Sequence, residues 1–102
     1  MKVVWTEQAL VRLAEIEDYI WVDNPGAAVA HTERLIDRAE ALTENPRLGR
    51  VPPELPGSEL RELVEGNYRI VYRIRGDEIE VLTVFEGHHL FPTEDLPARP
   101  EE

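Results

Sequence analysis

The chain begins with a short β-branched and aromatic run, Lys2-Val3-Val4-Trp5, which predicts a strand. Thr6 then suits a helix N-cap, and Glu7 places an acid in the first turn, where the helix dipole favours it. Leu10, Leu13, Ile16 and Ile20 recur at helical spacing, with Arg12, Glu15 and Asp18 on the other side. The pattern predicts an amphipathic helix from Glu7 to Trp21. Asp23-Asn24-Pro25-Gly26 interrupts it. Asn24 is a good cap and Pro25 a good first helical residue, so a second helix is predicted from Pro25 to Thr43. Its apolar stripe is Ala28, Leu35, Ile36, Ala39 and Leu42, with Thr32 in line. Asn45-Pro46 ends it, because a residue before proline avoids the helical region.

After a loop over 47–58, rich in proline and glycine, the period changes to two. Glu59 to Val64 predicts a strand. Tyr68, Ile70, Tyr72 and Ile74 alternate with Arg69, Val71, Arg73 and Arg75, the clearest strand pattern in the chain. Gly66-Asn67 and Gly76-Asp77 are two-residue hairpin loops, the second with the glycine-first order of a type II′ turn. Ile79 to Phe85 is apolar apart from Glu80 and Thr83, as for a strand covered on both faces. The expected fold is α+β: a strand, a helical hairpin and a three-stranded antiparallel meander (β-α-α-β-β-β). The hairpin buries its stripe on the Tyr68/Ile70/Tyr72/Ile74 face. Arg69, Val71 and Arg73 are then expected on a free face. Residues 1–92 form the single domain, and residues 93–102 an acidic, proline-containing and weakly ordered tail.

Composition narrows the chemistry. The 102 residues contain no cysteine, which removes disulfides, thiolate nucleophiles, zinc fingers and iron–sulfur clusters. His31, His88 and His89 remain, and adjacent strand residues point to opposite faces, so no metal site and no cofactor are expected. No apolar run reaches the ~18–20 residues of a membrane span, and the N-terminus does not read as a signal peptide. The expected location is the cytoplasm. The net charge of −10, of which −7 lies before residue 93, opposes general nucleic-acid binding. An arginine patch could still act locally, within a Debye length of about 8–10 Å.

Four patterns together resemble the RelE/ParE toxin superfamily of type II toxin–antitoxin modules. They are Val4-Trp5-Thr6 followed by Ala9 and Leu13; Asn24-Pro25 with Ala28; Pro46-x-x-Gly49-Arg50; and Arg61-Glu62-Leu63 leading to Tyr68-Arg69-Ile70-Val71-Tyr72-Arg73-Ile74. The resemblance spans residues 2–90. It implies a growth-inhibiting toxin held in a hetero-oligomer by a cognate antitoxin. It also implies one of two targets. RelE-like members are ribosome-dependent endoribonucleases that cut mRNA. ParE-like members bind DNA gyrase and are not nucleases. A non-toxic relative that only binds an antitoxin is a third reading.

In the RelE pattern, catalysis uses strand lysines, a strand arginine, and a C-terminal arginine and tyrosine. Here the lysine positions fall on Leu60 and Glu62, Arg69 matches the strand arginine, the C-terminal arginine falls near His89, and the tyrosine has no counterpart. A ribonuclease set would therefore be Arg69 with Glu62 as base and His88 or His89 for proton transfer. The ParE-like reading suits the acidic body better, since binding a protein needs no net positive charge. Its difficulty is Val84-Phe85-Glu86-Gly87-His88-His89, where Glu86 replaces a family histidine and the histidines replace arginines. Arg61, Arg69, Arg73 and Val71 are the candidate partner-binding residues, since arginine grips carboxylates in a bidentate fork. The alternative for Arg61, Arg69, Arg73 and Arg75 is ion pairing with Glu62, Glu65, Glu78 and Glu80. Trp5 and Trp21 read as core anchors, and Glu15, Glu17 and Asp18 as a solvated helix face.

Overall fold

The computed structural model describes residues 1–97. β1 (Lys2–Trp5) leads through Thr6 into α1 (Glu7–Trp21), and α2 (Pro25–Glu40) follows after a short turn. The caps act as their residue types require. The Thr6 hydroxyl accepts from the Ala9 amide at 3.1 Å and the Asn24 side chain from the Ala27 amide at 3.1 Å. Pro25 stands at the start of α2, where its missing N–H would be unsatisfied in any case. The helix tightens into a 3-10 turn at Ala41–Thr43, so the predicted end at Thr43 holds. β2 (Arg61–Glu65), β3 (Tyr68–Arg75) and β4 (Glu78–Glu86) form the meander.

Among the described residues there is one sheet, in the order β1-β4-β3-β2. β1 runs parallel to β4, and the two hairpins are antiparallel. Both hairpin loops begin with a glycine at positive φ, +59° at Gly66 and +63° at Gly76, and among the described residues no other residue type has positive φ. That is the pattern of a type II′ turn. β2 begins two residues later than the Glu59 start expected.

The helices cover one face of the sheet. Ala9, Leu13, Leu35, Ala39 and Leu42 pack on Leu63, Ile70, Tyr72, Ile79, Val81 and Val84, with Trp5 and Ile16 at the margin. Three helical residues depart from expectation. Leu10 is 51%, Ile36 39% and Trp21 51% exposed, so none of them anchors this core.

The opposite face is not free. Val71, Leu60, Leu82 and Phe85 form a second buried cluster, closed by Leu55 from the loop and by Phe91 and Leu96 from the C-terminal run. A bulge in β4 creates part of it. Val71 pairs with Thr83 and Tyr72 with Val81, leaving Leu82 as the extra residue. β4 therefore sends Ile79, Val81 and Val84 to the helices and Leu82 and Phe85 to the second cluster. This is why its run is apolar on both faces.

The C-terminal run is fastened by one acid. Thr93–Asp95 make a 3-10 turn. The Asp95 carboxylate accepts from Arg12 Nε at 2.7 Å, Arg12 Nη2 at 3.1 Å and the Thr83 hydroxyl at 2.8 Å. Burial pulls the Asp95 carboxyl upward, but the bonds from Arg12 and Thr83 more than reverse this and leave it below its ordinary value. The remainder of the expected loose tail, residues 98–102, lies outside the described residues.

Candidate functional site

β2 and β3 carry the arginines, and the register decides what each can reach. Glu62 stands opposite Val71, and Val64 opposite Arg69, so Glu62 and Arg69 are diagonal neighbours on one face. Arg69 Nε donates to Glu62 at 2.8 Å, and its Nη1 and Nη2 donate to Glu54 at 2.8 and 2.6 Å. Glu62 also accepts from Arg50 Nε at 2.8 Å. The Arg69 guanidinium carbon lies 5.0 Å from the Phe85 ring centre and 5.4 Å from that of Phe91, within cation–π range. Glu62 is 1% exposed and Arg69 9%.

This network corrects the expectation of an open arginine face. Arg69 is sealed beneath the loop and the C-terminal run, not beneath the helices, and Val71 is fully buried. The physical reason is that a guanidinium half enclosed by phenyl rings must be matched by carboxylates, since an unpaired buried charge is strongly disfavoured. The hydrogen bonds from Arg69, opposed by burial, take the Glu54 carboxyl down to about 2. In return Glu54, ahead of Glu62, pushes the Arg69 guanidinium further up, against the pull of burial.

The other arginines have separate structural partners. Arg73 Nε donates to Glu80 at 2.7 Å directly across the β3–β4 hairpin, and Arg75 approaches the same carboxylate at 3.9 Å. Arg61 donates to the Gly49 carbonyl at 2.7 Å. It thereby holds the loop that the Pro46-x-x-Gly49-Arg50 pattern describes. The same loop is fixed by Tyr72, whose hydroxyl donates to the Pro46 carbonyl at 2.7 Å and accepts from the Gly49 amide at 2.9 Å. A Cβ on Gly49 would stand 2.6 Å from the Glu62 carbonyl oxygen and 2.8 Å from the Tyr72 hydroxyl. Only glycine fits there.

The ribonuclease candidates do not assemble. Arg69 and Glu62 bond each other, whereas His88 and His89 are exposed beyond the end of β4. Among the described residues, neither histidine bonds Arg69 or Glu62. His89 instead lies 3.1 Å from Glu86.

A feature that the sequence patterns did not indicate borders this network. A cleft of about 480 Å³ opens between α1 and the C-terminal run, with Ile16, Tyr19, Tyr68, Val84, Phe85 and Leu90 among its walls. Tyr19 is 80% exposed and Leu90 94%. Leu90 lay in a stretch with no periodicity, and Tyr19 fell outside the apolar stripe of α1, so only the fold brings them together.

The family description "ParE toxin of type II toxin-antitoxin system, parDE" matches residues 3–91. The Sinorhizobium fredii protein named "Putative toxin Y4kP" is 38% identical over 91 residues, covering 89% of this chain and 93% of that protein. Toxin RelE2 of Caulobacter vibrioides is 44% identical over 63 residues, covering 62% of this chain and 67% of its own. The fold resembles a chain of the chromosomal ParDE system of P. aeruginosa, with TM-score 0.73 and 24% identity over 84% of this chain and 95% of that one. It also resembles a chain of the toxin–antitoxin complex RelBE2 of Mycobacterium tuberculosis, with TM-score 0.59 and 22% identity over 83% of this chain and 95% of that one. With nearly the whole domain matched, the chain belongs to the ParE toxin family of type II toxin–antitoxin systems.

Proposed function

We propose that this toxin acts by binding a protein target, with DNA gyrase the target that its family points to, and that a cognate antitoxin neutralises it. The observation that carries this reading is the state of Arg69. It is the one nuclease-type group kept cleanly in the sequence, and its fork is filled by Glu54 and Glu62 under two phenyl rings. A phosphate would have to displace two carboxylates to reach it. Glu62, the candidate base, is 1% exposed and already accepts from two arginines. A protein target asks for neither group. The antitoxin partner is supported by family membership and by the ParDE and RelBE2 assemblies that share the fold. The proposed place of action is the cytoplasm; no helix among the described residues is long and apolar enough to cross a membrane.

Three assays decide the matter. The purified chain, free of antitoxin, is expected to inhibit supercoiling by gyrase at micromolar concentration while mRNA on translating ribosomes stays intact. Cleaved mRNA with unaffected supercoiling would replace this reading with the ribonuclease one. Uninterrupted growth after strong induction would replace it with a non-toxic, antitoxin-binding role.

A further inference from the structure

We infer that the pocket where the 47–58 loop meets the start of β2 seats the carboxylate of an acidic residue on a protein partner, with an apolar neighbour of that residue against Val51. The inference rests on the reading that this chain works by binding proteins, and it assigns that binding a place and a chemistry.

The pocket, of about 370 Å³, has Arg47, Val51, Ser58, Arg61 and Ile74 among its walls. Its two arginines stand apart from the others. Arg12, Arg38, Arg50, Arg69, Arg73 and Arg75 each have a carboxylate within ion-pair range, and Arg34 meets His31. Arg47 and Arg61 have no such partner among the described residues, although the chain carries 21 acids against 11 lysines and arginines. Neutral acceptors hold Arg61 in place. Its Nη1 donates to the carbonyls of Gly49 at 2.7 Å and Arg47 at 3.5 Å, which fixes the guanidinium and leaves its charge uncancelled. Its Nε–Nη2 edge, a fork that suits a carboxylate, makes no bond among the described residues. Arg47 is exposed, and its side chain bonds nothing among the described residues. The Ser58 hydroxyl accepts from the Leu60 amide at 3.2 Å and keeps its own proton to donate. The field of the pair also reaches inward. Burial pushes the Tyr72 hydroxyl up, and the Gly49 amide and the charges of Arg61, Arg38 and Arg47 pull against it. The one carboxylate lining the pocket, Glu59, has a side chain 60% exposed and lies 3.8 Å from Arg73.

These features select the occupant. A half-buried guanidinium without a counter-ion is disfavoured, and an incoming carboxylate offsets that. Val51 in the wall and Leu48 next to Arg47 are 39% and 42% exposed, so an apolar residue beside the acid finds a surface to cover. Tyr72 and Arg61 already fix the loop, so binding orders little. A nucleic-acid strand brings a phosphate at every residue and would meet the field of a −10 chain beyond these two arginines. A single carboxylate is screened from that field past about 8–10 Å. The pocket is separate from the cleft beside α1. Ile74 lines the one and Tyr68 the other, at opposite ends of β3 and roughly 20 Å apart.

The test uses the full chain, isotopically labelled, and two capped seven-residue peptides that differ only in a central glutamate or glutamine between leucines. The glutamate peptide is expected to shift the amide resonances of Ser58 and Leu60 and the Nε–H resonances of Arg47 and Arg61. The glutamine peptide should bind about tenfold more weakly. Arg47→Gln, at an exposed position and so harmless to the fold, should bind both peptides alike. Glu59→Gln removes the competing charge and should tighten the glutamate peptide roughly two- to threefold. Equal binding of the two peptides by the parent chain, shifts that map elsewhere, or no shifts at about ten millimolar peptide would overturn the inference. So would an Arg47→Gln chain that still tells glutamate from glutamine, or a Glu59→Gln chain that binds glutamate more weakly. Inorganic phosphate that binds more tightly than the glutamate peptide would overturn it by giving the arginines to phosphate groups. Concentration-dependent shifts at Arg47 without peptide would do so by pairing two copies. Supercoiling is measured without peptide, so the pocket can fail while the functional reading stands, and the reverse.

Discussion

Replacing Arg69 by methionine measures how completely the sheet face is closed. Methionine keeps an unbranched apolar stem between Phe85 and Phe91, so packing is largely retained. What disappears is the guanidinium and its bonds to two carboxylates. Those carboxylates are not equivalent. The Glu54 side chain is 42% exposed and returns to water, which loses no more than a surface pair, about 0–1 kcal/mol. The Glu62 side chain is 0% exposed and keeps only Arg50, itself 62% exposed. Removing one partner of a buried ion pair costs about 3–5 kcal/mol, and the surviving Arg50 contact places this case near the lower end. Two lost cation–π contacts add about 0.5–2 kcal/mol between them. The expected destabilisation is therefore about 3.5–6 kcal/mol.

Urea unfolding at pH 7, followed by the fluorescence of Trp5 and Trp21, reads this directly. With a slope of about 1–2 kcal/mol/M, the midpoint should drop by roughly 2–6 M with the slope unchanged. The double variant Arg69→Met/Glu62→Leu removes both buried charges and should recover about 2 kcal/mol or more relative to Arg69→Met alone. If Arg69→Met loses under ~1 kcal/mol and the cycle is additive, the arginine is in contact with water, as for an exposed pair. The closed-face argument would then be refuted, and Arg69 would return as a free docking group.

Three further outcomes are expected. Gly49→Ala forces a methyl group against the Glu62 carbonyl and the Tyr72 hydroxyl; the overpacking should remove about 1–3 kcal/mol, and an unchanged melting temperature by calorimetry would contradict it. Glu54 titrates near 2 in the folded chain against an ordinary 4.5, so its contribution is complete above pH 4.5 and drains away as pH falls toward 2. Urea midpoints across that window should decline less steeply for Glu54→Gln than for the parent; parallel curves would show that Glu54 is not the group responsible. Asp95→Asn weakens charge-assisted bonds worth about 1.5–3 kcal/mol and should speed proteolysis between Gly87 and Leu96, whereas parental cleavage rates would mean that other contacts hold the run.

The elements were legible because each has its own period or cap. Thr6, Asn24-Pro25, Gly66-Asn67 and Gly76-Asp77 mark the breaks, and the Tyr68–Arg75 alternation separates the two faces of β3. Even the Arg73–Glu80 pair follows from counting back from a two-residue loop. The second core was not legible. Leu55, Phe91 and Leu96 are single apolar residues in stretches dense with proline and acid, and no period connects them. One clue was present: a β4 run apolar on both faces requires a second cover, and helices supply only one. The bulge at Leu82 was hidden as well, because a single inserted residue in an apolar run leaves no break in the pattern. From the sequence alone Glu62 fits the base of a ribonuclease set, since the sequence cannot show that Arg69 and Arg50 both close on it.

A buried ion network adds little stability over a well-packed apolar core, so the Arg69 cluster needs another consequence. Its directional bonds supply one. Arg69 joins the loop at Glu54, the strand at Glu62, and the rings of Phe85 and Phe91, whereas apolar contacts alone would leave those segments free to slide. Phe85 belongs both to this cluster and to the wall of the cleft, and Phe91 directly follows Leu90. The network thus sets the position of one side of the cleft, while Asp95 and Arg12 set the other. Loosening Arg69 should be felt at the cleft even where the chain stays folded. Amide resonances of Leu90 and Tyr68 should move in Arg69→Met although neither side chain is hydrogen-bonded to that of Arg69. Unmoved resonances in a folded Arg69→Met chain would separate the two features and leave the buried arginine with a purely local role.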